Sequence, residues 1–214
     1  MEYQNNYEKT KKEMQRAFLN YDQDEIIKKF SLNADSRYLF FNLMGRSCRL
    51  ERANGIVWCE NPQTGGYHEA DYNESMIVYD LLCYSKPEAK ASGNYVNMKS
   101  FSRIYGGTTT IESNFYHQEE EYFDHARELF CRTLDRMGER IDENGGSSLW
   151  ITVFKDLKMQ VKFWYSDEEF PAELQFFWEK QVLNYMHYET VWYVNMTVIR
   201  YIREGMERIH PRPL

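Results

Sequence analysis

The chain has 214 residues, of which 43% are hydrophobic and 28% charged, and its net charge is −7. That composition is globular and long enough for one large domain, which excludes disordered and collagen-like chains. Its lysines and arginines are scattered, as at Lys9, Lys11, Lys12, Arg200, Arg203 and Arg208, without the concentrated basic face of a nucleic-acid binder.

The first segment, Met1–Tyr21, is polar and helical in period, with Tyr7, Met14, Phe18 and Tyr21 near one face. It lacks the apolar centre of a signal peptide. Asp22 and Glu25 have capping-box spacing before a short helix through Ile26, Ile27 and Phe30. Arg37 to Leu43 is apolar on both faces and reads as a covered strand. A turn at Gly45-Arg46 leads into alternation from Cys48 to Arg52. Asn54-Gly55 is a type I′ hairpin signal, and Ile56 to Glu60 is the next strand. Pro62 and Gly65-Gly66 mark Asn61 to Tyr67 as a loop.

Glu74 to Tyr84 reads as a buried helix, and Lys86 to Asn97 as a surface connection. Gln118 to Met137 is one long helix whose apolar face runs from Tyr122 to Met137, with Gly138 near its end. After Gly145-Gly146 come strands through Leu149–Val153 and Met159–Tyr165, then Ala172 to Trp178. Glu189 to Arg208 is the closing helix. Strands grouped in two blocks predict an α+β fold, a mainly antiparallel sheet packed against about five helices. The expected organisation is one domain, 1–214, with a division into lobes 1–70 and 71–214 left open.

The cysteines, Cys48, Cys59, Cys83 and Cys131, form no Cys-x-x-Cys pair, so they read as free thiols in a reducing compartment. No apolar run approaches the roughly 18 residues of a membrane span, and a cytoplasmic protein is expected.

Asp167-Glu168-Glu169-Phe170-Pro171, preceded by Trp164, resembles a motif of a domain-of-unknown-function family of anaerobic bacteria and archaea. Supporting features occur in order: the Glu74–Tyr84 helix, Ser100-Phe101, Tyr105-Gly106-Gly107, the Glu119–Met137 helix and His187-Tyr188-Glu189. The resemblance covers roughly residues 1–205. Longer members of that family carry a four-cysteine iron–sulfur domain in front. The first cysteine here is Cys48, so no cluster is expected. A strand-end Asp expected of the family is replaced by Trp178. The resemblance implies a setting in corrinoid and one-carbon metabolism, with cofactors unknown.

Candidate ligand-binding residues follow from chemistry. Asp167 and Glu169 can share one side of an extended segment with Glu168 between them, which suits acid–base work, cation binding or a solvated turn. His187 with Glu189 lies on an exit loop before the last helix. Tyr105, Gly106 and Gly107 can cradle an anion through backbone N–H groups or form a tight turn. His117, placed ahead of the long helix, Glu121 and His125 are spaced too widely for both imidazoles to bind one ion, and no metal site is expected. The aromatics between Phe163 and Tyr201 fit a core or a ligand surface. These features leave three readings open: a non-catalytic module for a small molecule or protein partner, an enzyme using Asp167, Glu169 and His187, or a homo-oligomer.

Overall fold

The structure, a computed structural model, describes residues 6–101 and 116–209. The chain divides into two compact units, Met1–Lys90 with Gln181–Thr197, and Ala91–Lys180 with Val198–Leu214. Each holds its own five-stranded antiparallel sheet, and with the surrounding helices this is the α+β class predicted from strand grouping. Among the described residues no helix is long and apolar enough to cross a membrane.

The first unit begins with helices α1 (Asn6–Phe18) and α2 (Gln23–Phe30). Asp22 starts α2 by accepting from the backbone N–H groups of Asp24 and Glu25. A meander follows: β1 (Asn33–Ala34), β2 (Tyr38–Leu43), β3 (Arg46–Glu51), β4 (Val57–Asn61) and β5 (Gly66–Glu69), hydrogen-bonded in that order. The β2–β3 turn is tight at Met44-Gly45, both with positive φ (48° and 81°), the geometry of type I′. The expected type I′ turn at Asn54-Gly55 is absent, because there only Gly55 has positive φ (75°). A longer loop forms instead, closed by Gly55 N–H on the Glu51 carbonyl and by the Asn54 side chain on Ile56 N–H.

Helix α3 (Tyr72–Tyr79) opens with a full capping box between Asp71 and Glu74. It runs straight into a wider π turn, Asp80–Tyr84, closed by Ser85 N–H on the Asp80 carbonyl at 3.0 Å. The predicted buried helix is therefore real but changes pitch halfway. The unit is completed by the 3₁₀ turn Val182–Asn184 and the first turns of α6 (Tyr188–Ile209). Its core includes Phe18, Leu39, Leu43, Leu50, Val57, Ile77 and Val191.

The second unit holds β6 (Tyr95–Asn97), α4 (His117–His125), α5 (Arg127–Met137), β7 (Glu139–Glu143), β8 (Gly146–Phe154), β9 (Leu157–Trp164) and β10 (Glu173–Glu179). Sheet order is β6-β10-β9-β8-β7. The edges β6 and β7 escaped the sequence reading. In β7 the run Glu-Arg-Ile-Asp-Glu is charged, as suits an exposed edge rather than a buried strand. The long helix predicted over Gln118–Met137 is two helices broken at Ala126, and His117 lies inside the first. The His125 ring donates from Nδ1 to the Glu121 carbonyl at 2.6 Å, competing with the helical ladder just before the break. Between Phe163 and Tyr201, Phe163, Tyr165, Phe176, Trp178, Tyr185 and Tyr201 are buried core, while Trp164, Phe177, Tyr188, Trp192 and Tyr193 are partly exposed.

Candidate functional site

An ionisable residue inside an apolar helix must find partners, because desolvating an unpaired carboxylate is costly. Asp80 is that residue. It lies in the apolar run from Met76 to Cys83, and its side chain is only 5% exposed. The π turn it begins is a distortion found often at functional sites.

The partners of Asp80 come from the start of α6. Its Oδ2 accepts from the backbone N–H of His187 at 2.8 Å and from the Thr190 hydroxyl at 2.5 Å. Nδ1 of His187 lies 2.9 Å from Oδ1 and 3.0 Å from Oδ2. A carboxylate facing Nδ1 holds a proton on that nitrogen, so in the neutral imidazole the lone pair lies on Nε2. The His187 side chain is 52% exposed, and among the described residues Nε2 has no hydrogen-bond partner. The Tyr84 ring, also exposed, packs on the imidazole with centroids 3.6 Å apart. Two things therefore set the ring's orientation, a buried carboxylate at one edge and an aromatic face beneath.

A cation bonds to the residue that follows Tyr84 in the chain. Lys29, in the last turn of α2, donates from Nζ to Oγ of Ser85 at 2.9 Å and to the Ser85 carbonyl. Ser85 is buried and directly follows Tyr84. Burial lowers the Lys29 pKa, while the charges of Cys83 and Glu88 work the other way.

His187 is thus held by Asp80, which sequence reasoning did not select. Glu189 is exposed in the first turn of α6, where a negative charge suits the helix dipole. Asp167 has a different occupation. Its Oδ1 accepts from the N–H groups of Glu169 and Phe170, both at 2.8 Å, and these bonds hold its carboxyl below the usual range. Glu168 and Glu169 are exposed in the same turn. Asp167 to Glu169 belong to the second unit and His187 to the first. Tyr105, Gly106 and Gly107 lie outside the described residues. His117 pairs with Glu121 at 3.3 Å. Among the described residues no group of three or more His, Cys, Asp and Glu is placed to hold a metal ion.

The family described as a domain of unknown function, DUF3786, matches residues 22–201. The chain belongs to that family. No curated protein and no solved structure matches it. Lys29, Asp80, Tyr84, Ser85, His187 and Thr190 all fall within the DUF3786 domain. The residues missed by sequence reasoning, Asp80 above all, had one available signal, a carboxylate interrupting an apolar helix.

Proposed function

We propose that the first unit binds a small molecule at Tyr84 and His187 and transfers a proton through Nε2 of His187. The observation that supports this reading is the Asp80 carboxylate spanning Nδ1 of a half-exposed imidazole. A general base needs a lone pair presented outward and a group that fixes the tautomer behind it. His187 is the catalytic residue in this scheme, and Asp80 and Thr190 are positioning residues. Lys29, bonded to Ser85 next along the chain from Tyr84, adds positive charge, which favours a ligand carrying a carboxylate or phosphate.

Non-catalytic binding is the second reading. It is favoured by the bonds from the His187 N–H and the Thr190 hydroxyl to Asp80, which serve equally to anchor the start of α6. The resemblance to a family of anaerobic corrinoid and one-carbon metabolism makes corrinoids, pterins and nucleotides the first ligands to screen. A cytoplasmic setting, read from cysteine usage, belongs to the same proposal.

Modification by diethyl pyrocarbonate, which acylates imidazole nitrogens carrying a lone pair, separates the readings. His187 is expected to react several-fold faster than His117, whose side chain is similarly open at 59% exposed but whose Nε2 faces Glu121. Asp80→Asn should slow the His187 reaction. Equal rates at His187 and His117, unchanged by Asp80→Asn, would leave Asp80 a structural anchor and favour the binding reading.

A further inference from the structure

The first sheet carries a row of reactive groups that the acid–base site does not use. Cys48 of β3 pairs directly with Cys59 of β4, and Cys59 pairs directly with His68 of β5. Residues directly opposed in an antiparallel ladder project from the same face. The row therefore runs Cys48, Cys59, His68 across adjacent strands. The two sulfurs are 2.8 Å apart, and the residues are 2% and 0% exposed. Beyond them Nε2 of His68 lies 3.3 Å from Oε2 of Glu74, a carboxylate with no exposed surface. Nδ1 of His68 is buried and has no hydrogen-bond partner among the described residues.

Cysteines are small core residues in most proteins, and a single buried thiol needs no explanation. A directly opposed pair is different. Opposed residues in an antiparallel ladder have Cα atoms roughly 4.5–5.5 Å apart. A disulfide spans Cα separations of about 4.4–6.8 Å, so the backbone already holds a bondable spacing.

We infer that Cys48 and Cys59 are a redox-active dithiol, closed to a cross-strand disulfide by a small peroxide. The Cys48 sulfur attacks one peroxide oxygen as its thiolate, the O–O bond breaks, and water leaves after protonation. Cys48 is then a sulfenic acid. The Cys59 sulfur attacks the Cys48 sulfur, the S–S bond forms, the S–O bond breaks and a second water leaves. Two thiols and one hydrogen peroxide thus give one disulfide and two waters. Contact with the Cys48 sulfur and burial both push the Cys59 thiol far up, which suits Cys59 to the second, resolving step. His68, in register beside Cys59, is the base available for the Cys59 proton in the second step. Burial restricts the oxidant, since bulky disulfides have no route to sulfurs this enclosed.

The test treats the folded full chain with hydrogen peroxide, then denatures it in an alkylating agent and maps the peptides without reduction. Cleavage after Glu51, Glu60 and Glu74 places Cys48, Cys59 and Cys83 on separate peptides. The expected product is a linked pair containing Cys48 and Cys59, lighter by two hydrogen atoms and split by reductant. Because the loop is short (sequence separation 11), the closed form should also melt roughly 5–10 °C higher than the reduced one. Cys59→Ala should show neither the link nor the shift. Full alkylation of both cysteines after peroxide would overturn the inference, as would sulfinic acid at Cys48 without a link, or linkage of either cysteine to Cys83 or Cys131. The map is read on the unaltered chain, so it decides the matter even if Cys59→Ala fails to fold.

Discussion

Asp80→Asn changes the chemistry of the candidate site with almost no change in shape. In the native protein Oδ2 receives the His187 N–H and the Thr190 hydroxyl, and both carboxylate oxygens face Nδ1. The amide oxygen of Asn can keep the first two donors. Its NH₂ group must then face Nδ1, and two donors cannot share that contact. The imidazole resolves the clash by moving its proton from Nδ1 to Nε2, and the outward lone pair is lost. Exchanging a hydrogen bond to a carboxylate for one between neutral groups costs about 1–2 kcal/mol. For a chain of this size that is a fall in Tm of roughly 2–8 °C. Asp80→Ala is worse, because it strips the acceptor from three donors at once. At about 1–3 kcal/mol for each buried group left unpaired, and less than full additivity, the loss should reach about 3–5 kcal/mol. Thermal melting gives the stability, and a nitrogen–proton correlation spectrum of the His187 ring gives the tautomer. An Asn variant that keeps its proton on Nδ1, or an Ala variant that loses less than about 1 kcal/mol, would refute the assignment of Asp80 as the group that orients His187.

Gly55→Ala should cost about 2–4 kcal/mol, seen as a lower Tm, since the residue has φ of 75° and a Cβ there would sit 2.6 Å from the Gln15 carbonyl oxygen. Tyr165 should make the chain sensitive to alkali. Burial, a bond with Cys131 and their mutual charge push its phenol up to about 12, although the Ser147 bond and the Arg127 guanidinium pull it down. A raised folded pKa means the stability is intact below the ordinary tyrosine value and is lost as pH rises through the folded one. Between roughly pH 10 and 12 the fall in stability should be shallower in Tyr165→Phe than in the native chain, as urea titrations at stepped pH will show. Asp167 behaves in the opposite sense. Its lowered pKa means the turn is held at neutral pH and released only as pH falls through the folded value, below the usual carboxylate range. Amide exchange at Glu169 and Phe170 should quicken there, and Asp167→Ala should abolish that pH dependence.

The fold was legible where the pattern was long. In β8 and β9 several alternating apolar residues repeat, and the periods of α1 and α6 run for several turns. Short or charged pieces were not legible. The two-residue β1 and three-residue β6 are strands only because β2 and β10 lend them hydrogen bonds. Turn chemistry also misled. Asn54-Gly55 does join a hairpin, β3 with β4, but through a longer loop, and the tight turn forms at Met44-Gly45, where a non-glycine residue accepts positive φ because Leu43 and Arg46 pair directly across it. Around Gly55 the chain takes a longer path, with the α1 backbone at Gln15 pressed against it.

The candidate site was legible in one half only. His187 stood out as an imidazole on an exit loop, but its partner lies 107 residues earlier, beyond the reach of any local period. The signal for Asp80 was present in a different form. Asp167, Glu168 and Glu169 attract the eye as a cluster, yet exposed carboxylates cost the fold nothing, and Asp167 is satisfied by the N–H groups of its own turn. Asp80 interrupts an apolar helix, where a lone carboxylate is tolerated only if several donors converge on it. Buried cost is therefore the more informative sign of a site than surface density. It demands a partner, and here the π turn and the start of α6 together supply His187 and Thr190.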